Sequence, residues 1–267
     1  MTNEEREIEI YNRTYDVQTD EQLTLYFGDC FDKINAVDDK SVDLILTDPP
    51  YWHKKSPGKP YSERTQSKTS SKFANSELFS QDCAMMREMS DFTDMDIKAF
   101  LDETKRVMRI MNAYYFCNET QIPYYCLWAE KNGFMYSVLT WEKPLSIINK
   151  NRFSQNAEFI VRVYDYGTGL NKDRPSDFYN RIFHDSPVTK KSHPTEKPVS
   201  ICDKIVLLNT KKDMLVFDPF MGSGTTGVSS VKNGRRFIGI EKNPEFFKTA
   251  KERIRSEIAR IPLFAEC

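Results

Sequence analysis

Residues able to do chemistry gather in five short segments. The first is Leu44-Ile-Leu-Thr-Asp48-Pro49-Pro50-Tyr51-Trp52. A hydrophobic strand ends in an acid, and two prolines then fix the backbone in a rigid turn. Proline has no N–H, so the local carbonyls lack a nearby internal donor. Asp48 Oδ and the Pro49 carbonyl are left to accept from an incoming amino group. Pro50 extends the turn, and Tyr51 adds an aromatic face with Trp52 beside it. Such an acceptor pair next to a flat ring suits a planar group with an exocyclic NH2, as an extruded nucleobase presents. Asp-Pro-Pro also makes ordinary turns. Its place at the carboxyl end of a strand, where open α/β sheets collect ligands, favours the binding role.

The second segment, Met214-Leu-Val-Phe-Asp218-Pro219-Phe220-Met221-Gly222-Ser223-Gly224-Thr225-Thr226, is a strand entering a glycine turn that opens a helix. Glycines admit a ligand close to the backbone, and the helix start offers free N–H groups. The lysine of a GxxxxGK[ST] phosphate loop is absent, and only Gly222-Ser-Gly224 of a GxGxxG dinucleotide pattern is present. A cofactor with one carboxylate and a sulfonium fits better than one with a pyrophosphate. The third, Arg236-Phe-Ile-Gly-Ile-Glu241, ends a strand in an acid placed to accept ribose hydroxyls. The fourth, His193-Pro-Thr195-Glu-Lys197-Pro198, precedes a helix and suits a carboxylate. The fifth, Leu23-Thr-Leu-Tyr-Phe-Gly28-Asp29-Cys30, is another strand ending in an acid.

Strands and helices alternate in a way that can position these segments. Strand-like runs fall at Leu23–Phe27, Val42–Thr47, Ala113–Cys117, Met135–Trp141, Glu158–Tyr164, Met214–Phe217 and Arg236–Ile240. Helix-like stretches fall at Met95–Met111, Pro123–Lys131, Pro198–Asn209, Gly224–Asn233 and Pro244–Ile258. Continuous apolar strands covered on both faces, alternating with helices, predict a doubly wound α/β sheet. The 267 residues suffice for one domain with a small insert. Residues 52–92 read as a mobile basic loop after the first motif, whose stretch from Lys54 to Lys72 carries Lys54, Lys55, Lys59, Arg64, Lys68 and Lys72 against Glu63 alone. A second basic group comprises Lys150, Arg152, Arg162, Lys172, Arg174, Arg181, Lys190 and Lys191. The net charge of -1 does not advertise a nucleic-acid binder, but phosphate neutralisation needs only local cations. Six scattered cysteines and three histidines give no metal site, and the polar N-terminus and lack of a long apolar run predict a cytoplasmic protein with no membrane contact.

In their order along the chain, these segments resemble the amino-methylating DNA methyltransferases of bacteria and phages, in the β permutation. There the Asp-Pro-Pro-Tyr motif comes first, the target-recognition region next and the cofactor motifs last. Here Asp48-Pro-Pro-Tyr51, residues 145–191, His193-Pro-Thr-Glu-Lys-Pro198, Asp218-Pro-Phe-Met-Gly-Ser-Gly224 and Glu241 keep that order over residues 22–256. The resemblance implies a single Rossmann-like, circularly permuted domain with a mostly parallel seven-stranded sheet and one antiparallel strand. Met135–Trp141 and Glu158–Tyr164 are its candidates for the last strand pair. The implied cofactor is S-adenosylmethionine. Phe220, Gly222, Ser223, Gly224 and Thr225 would cradle its methionine part over Asp218, and Thr195 and Lys197 would approach the carboxylate. Glu241 would take the ribose, and Asp29 with the Cys30 backbone the adenine. Asp48 would lie at the meeting of cofactor and target. Trp141 and Pro144 would lie near a flipped base, and Lys54, Lys55, Lys150, Arg152 and Arg174 would hold double-stranded DNA. Because cytosine-N4 enzymes usually carry Ser at the position of Asp48, the resemblance favours adenine N6. Cytosine N4, an RNA substrate and a catalytically dead DNA-binding protein are the alternatives. The short recognition region leaves room for a homodimer or a separate restriction or specificity subunit.

Overall fold

In the run Leu44-Ile-Leu-Thr47, all four residues are buried. Ile45 packs into one apolar cluster, and Leu44 and Leu46 into another. The same alternation puts Ala113, Tyr115 and Cys117 on the first side and Tyr114 and Phe116 on the second. A strand buried on both faces needs helices on both faces, and the computed structural model has them. It describes residues 17–19, 22–51, 96–143, 153–154, 156–185 and 197–260.

Among the described residues nine strands form one sheet: β1 (Val17–Thr19), β2 (Leu23–Phe27), β3 (Leu44–Thr47), β4 (Asn112–Cys117), β5 (Met135–Glu142), β6 (Ala157–Tyr164), β7 (Ile182–Phe183), β8 (Leu215–Asp218) and β9 (Arg236–Glu241). Their order across the sheet is β1-β2-β9-β8-β3-β4-β6-β5-β7. Strands β2, β9, β8, β3 and β4 run parallel, and β6 runs against both β4 and β5. This is the expected seven-stranded sheet with a single reversed strand, extended by two short edge strands. One of these, β1, is antiparallel to β2. At three and two residues, the additions are too short to show as periodic runs in the sequence.

The first face is covered by α1 (Cys30–Lys33), α2 (Ile97–Val107) and α3 (Ile122–Lys131), and the second by α4 (Val199–Asn209), α5 (Thr225–Lys232) and α6 (Pro244–Arg260). Helix α2 starts at Asp96, whose side chain accepts from Ala99 N at 3.0 Å. It ends at Val107, short of the predicted Met111. Met108 turns extended to bridge Val42, and Arg109 N donates to Val42 O at 2.9 Å. That pairing also takes Val42 out of β3. Among the described residues no helix is long and apolar enough to cross a membrane, and no cluster of His, Cys, Asp and Glu could hold a metal ion.

From β3 the chain winds through α2 to β4 on one side, and from β8 through α5 to β9 on the other. The carboxyl ends of β3 and β8 therefore flank the point where the winding reverses, where such sheets open a crevice.

Candidate active site at the carboxyl ends of the strands

Four acids stand at or just beyond the carboxyl ends of four adjacent parallel strands. In spatial order they are Asp29 after β2, Glu241 ending β9, Asp218 ending β8 and Asp48 after β3. With roughly 4.8 Å between neighbouring strands, the row is about 14 Å long. One elongated ligand can lie along the row, over the buried Asp218.

At one end of the row, Asp29 caps α1 by accepting from Phe31 N at 3.0 Å, and its other oxygen lies 3.5 Å from Lys242 Nζ. Cys30 is buried in the core, and burial, followed by the charge of Asp29, pushes its thiol far above the ordinary range. Only its backbone is available to a ligand. Glu241 accepts from Gly222 N at 2.9 Å and Asn243 N at 2.8 Å, tying the glycine turn to β9. A carboxylate offers about four acceptor positions, so capacity remains for hydroxyl donors. Burial holds its pKa above the usual value against those backbone bonds.

The glycine turn itself is built from Asp218, Phe220 and the residues beyond. Asp218 is buried and accepts from Phe220 N at 3.1 Å. Burial is also what raises its pKa, to about 7. Phe220 packs edge-on against Phe100, with ring centroids 5.2 Å apart. Gly222 has φ +51, and a side chain added there would meet no atom of the described residues within 4 Å. The turn is thus bare at Gly222, as a backbone-lined cradle requires. Gly224, with φ +82, is glycine for another reason: a Cβ would lie 2.9 Å from Ala250 Cβ. Ser223 is buried, and its carbonyl and hydroxyl accept from Arg253 at 2.8 and 2.9 Å. Thr225 is buried in the first turn of α5, and Thr226 Oγ1 donates to Leu46 O at 3.3 Å, joining α5 to β3.

At the other end of the row, Asp48 Oδ2 accepts from Lys197 Nζ at 2.5 Å. Lys197 also lies 3.4 Å from Glu158 Oε2 on β6. Glu158 in turn binds Lys143 through Oε1 and accepts from the Tyr51 hydroxyl at 3.3 Å. Lys197 is only 6% exposed and sits over the rings of Tyr51 and Phe116 at 5.4 and 5.1 Å. Burial alone would lower its pKa, but Asp48 and Glu158 raise it, so the ammonium stays charged. Burial works to raise Glu158 as well, yet Lys197 and Lys143 outweigh it and hold the carboxylate below its usual value. For Asp48 burial wins over Lys197, and its pKa is raised. Asp48 Oδ1 is buried and makes no hydrogen bond among the described residues. Beside it, Pro49 is buried, and the Pro50 carbonyl accepts from Gln121 Nε2 at 3.1 Å. The turn therefore does have a donor, supplied from the start of α3 and directed at Pro50.

Two residues expected near the target base lie elsewhere in this geometry. Trp141 is 2% exposed and donates to Asp185 O at 2.7 Å. Its ring is core beneath Lys143, at 4.9 Å, and has no free face for a base. Arg174 lies with Thr210, Lys211 and Arg235 at the amino ends of the strands, opposite Asp48. It follows β6, which runs backwards, so the chain emerges at the far end. Arg162 of the same basic group is buried between the rings of Tyr114 and Tyr164. Trp52, Lys54, Lys55, Pro144, Lys150, Arg152 and Thr195 lie outside the described residues, as do all of residues 52–92 and parts of residues 145–191. Glu158, Gln121 and Arg253 join the site although no motif points to them, and Lys143 joins it from between Trp141 and Pro144.

A family model described as DNA methylase, of the N6 and N4 type, matches residues 42–252. The type II methyltransferase M2.MboI of Moraxella bovis is 26% identical over 267 aligned residues, covering 90% of each chain. M.HinfI of Haemophilus influenzae is 25% identical, covering 87% of this chain and 68% of its own. Among solved structures, the complex of M1.HpyAVI with S-adenosylmethionine is 26% identical at a TM-score of 0.63, covering 86% of this chain and 99% of that one. The cytosine-N4-specific PvuII DNA methyltransferase has the same TM-score, 0.63, over 91% of this chain and 93% of its own. At 15% identity it shows the fold alone.

Proposed function

Because the chain belongs to this DNA methylase family and is an S-adenosylmethionine-dependent DNA methyltransferase, we propose that it methylates N6 of adenine, with Asp48 and the Pro49 carbonyl as the acceptors of the target amino group. The observation that carries this reading is the buried Asp48 Oδ1, which lacks a hydrogen-bond partner among the described residues while Lys197 fixes Oδ2. A buried polar atom left unpaired costs about 1–3 kcal/mol, and an amino proton arriving at Oδ1 removes that cost.

The row of acids and the bare turn at Gly222 fit the cofactor. Glu241 would hold its ribose, Asp29 its adenine, and the Phe220–Thr225 turn its methionine part. When bound, it supplies a methyl group made electrophilic by a sulfonium. An exocyclic amino nitrogen is a poor nucleophile, because its lone pair is delocalised into the ring. Hydrogen bonds from its two protons to Asp48 Oδ1 and the Pro49 carbonyl localise that pair. Asp48, with its raised pKa, then takes the proton that the nitrogen sheds once it has become cationic. Tyr51, tied to Glu158, offers a flat ring beside the acceptors. The Asp48 side chain is only 25% exposed, so a base must leave the duplex to reach it, at a cost of about a few kcal/mol. Adenine rather than cytosine rests on the carboxylate at position 48, where cytosine-N4 enzymes usually carry serine.

Mass spectrometry of nucleosides from DNA treated with the protein is expected to show N6-methyladenine. N4-methylcytosine would instead overturn the base assignment. Asp48→Ala should abolish methylation while calorimetry shows cofactor binding unchanged, and full activity in that variant sinks the mechanism.

A further inference from the structure

The amino ends of the strands carry a second charged feature, on the side of the sheet away from the row of acids. A cleft of about 730 Å³ is lined by Lys172, Arg174, Lys211, Lys212 and Arg235, with Asp173 the one carboxylate in its wall. Residues 171–174 follow β6, Thr210–Lys212 precede β8, and Arg235 precedes β9. Strand β8 alone, four residues long, separates the two ends by about 13 Å. The cleft is therefore distinct from the site at Asp48.

Its walls are fixed. Asn171 donates its backbone N–H to Leu208 O at 2.7 Å and its side-chain amide to Leu207 O and Thr210 O at 2.7 and 2.9 Å. This pins the loop to the end of α4. Arg235 is 4% exposed and spends its guanidinium on Thr210 Oγ1, Thr210 O and Asn233 O, satisfying carbonyls at the end of that helix. The other four cations have no such use. Among the described residues Lys172, Lys211 and Lys212 make no ion pair, and Arg174 reaches only Asp173, at 3.8 Å. Arg174 Nε is shielded from solvent and makes no hydrogen bond among the described residues. Burial, followed by the nearby charge of Arg174, lowers the pKa of Arg235, so the cations act on one another. Like charges gathered around a rigid cleft, with a buried donor unused, are an unfavourable arrangement until an anion enters. A volume of this size exceeds one phosphate and admits several.

We propose that this cleft is an anion site, taking phosphate groups. Two sources share that chemistry: the backbone of a second DNA segment, or a free phosphate-bearing anion. The DNA source rests on the activity assigned above, whereas the site itself does not. A DNA segment held here would leave the catalytic crevice open to another and bring the enzyme to DNA before a target is found.

Lys211→Glu together with Lys212→Glu tests the proposal, because both side chains are exposed. Inorganic tripolyphosphate is titrated calorimetrically into the full chain at low salt. Binding to non-target duplex DNA is followed from 50 to 200 mM salt. If DNA backbone occupies the cleft, the variant loses tripolyphosphate binding, and its slope of log affinity against log salt is shallower by about two. If a free anion is the occupant, tripolyphosphate binding is lost and the slope is unchanged. If both measurements match the wild type, the site does not exist. Methyl transfer to a saturating target duplex, measured on the same variant, reports separately on the activity.

Discussion

Replacing Lys197 by methionine isolates what the buried ammonium does for the catalytic acid. Its Nζ lies 2.5 Å from Asp48 Oδ2 and 3.4 Å from Glu158 Oε2, so these two oxygens are roughly 6 Å apart or less. Their mutual repulsion is present with or without the ammonium, so what the substitution removes is the attraction of Lys197 for Asp48. At an effective dielectric constant near 20, unit charges about 4 Å apart attract by about 4 kcal/mol, which corresponds to about three pKa units. Water entering the vacated space screens part of this, which leaves about two units as the smallest displacement expected. Asp48 must be ionised to accept both the hydrogen bond and the proton. The acid limb of single-turnover methyl transfer against pH should therefore move up by at least about two units. At a pH below the new limb, the rate should recover about tenfold per unit as pH rises. Breaking a buried pair also costs about 3–5 kcal/mol of stability, which a urea titration will show, so rates should be measured where the variant remains folded. Lys197→Arg keeps the charge and should keep the limb near its wild-type position. The resemblance assigns Lys197 to the cofactor carboxylate instead, which implies weaker cofactor binding with no displacement. An unmoved acid limb with a raised cofactor Kd would refute the charge argument.

Glu158→Gln should move the same limb the opposite way, toward acid, because Glu158 contributes to raising Asp48. Its kcat should fall while cofactor Kd holds, since the Tyr51 and Lys143 contacts weaken. Gly222→Val should abolish cofactor binding in calorimetry, with a stability loss limited to about 1–2 kcal/mol for the left-handed backbone. Gly224→Ala should destabilise by about 1–3 kcal/mol in urea, because its Cβ meets Ala250 rather than the cradle. Asp218 has a folded pKa raised by burial to about 7, so its contribution is greatest below the unfolded value near 4 and fades as pH rises through 7. Asp218→Asn should flatten the decline in Tm over that window, and an unchanged slope would remove Asp218 as its source.

Segments whose function depends on neighbours in the chain are legible in the amino-acid sequence itself. The strand ending in Asp48 and the turn around Gly222 announce themselves because an apolar run, a breaker and a polar group follow one another directly. The reversed strand is also legible as one of two apolar runs in the middle of the chain, although only pairing shows that it is β6. Glu158 is not, because an acid at the start of a strand carries no local mark. Its meaning comes from the antiparallel register that sets it opposite Trp141, beside Lys143 and across from Lys197. Trp141 fails in the other direction: its type suits stacking on a base, but the same register buries it as core. Arg174 reads as a contact to the DNA at the reacting centre because charge is visible in sequence, whereas the end of the sheet it occupies depends on β6 running backwards.

Strand neighbourhood therefore specifies the reacting centre more than chain order does. Lys197 and Asp48 are 149 residues apart in sequence and 2.5 Å apart in space, joined because α4 packs on β3 and β8 lies beside it. Asp48 and Asp218 reach the crevice on adjacent strands for the same reason. Any order of the elements that preserved these adjacencies would assemble the same four acids and the same buried ammonium. Motif order identifies the family, but the chemistry requires only that β3, β8 and β9 lie side by side and parallel, and that β6 return along β4. The return of β6 is the vulnerable step, because it alone brings Glu158 to Lys197. A one-residue slip in the β4–β6 register would turn Glu158 to the opposite face and leave Lys197 with Asp48 as its one described carboxylate partner. Fidelity of that register is thus a condition for catalysis as much as for folding.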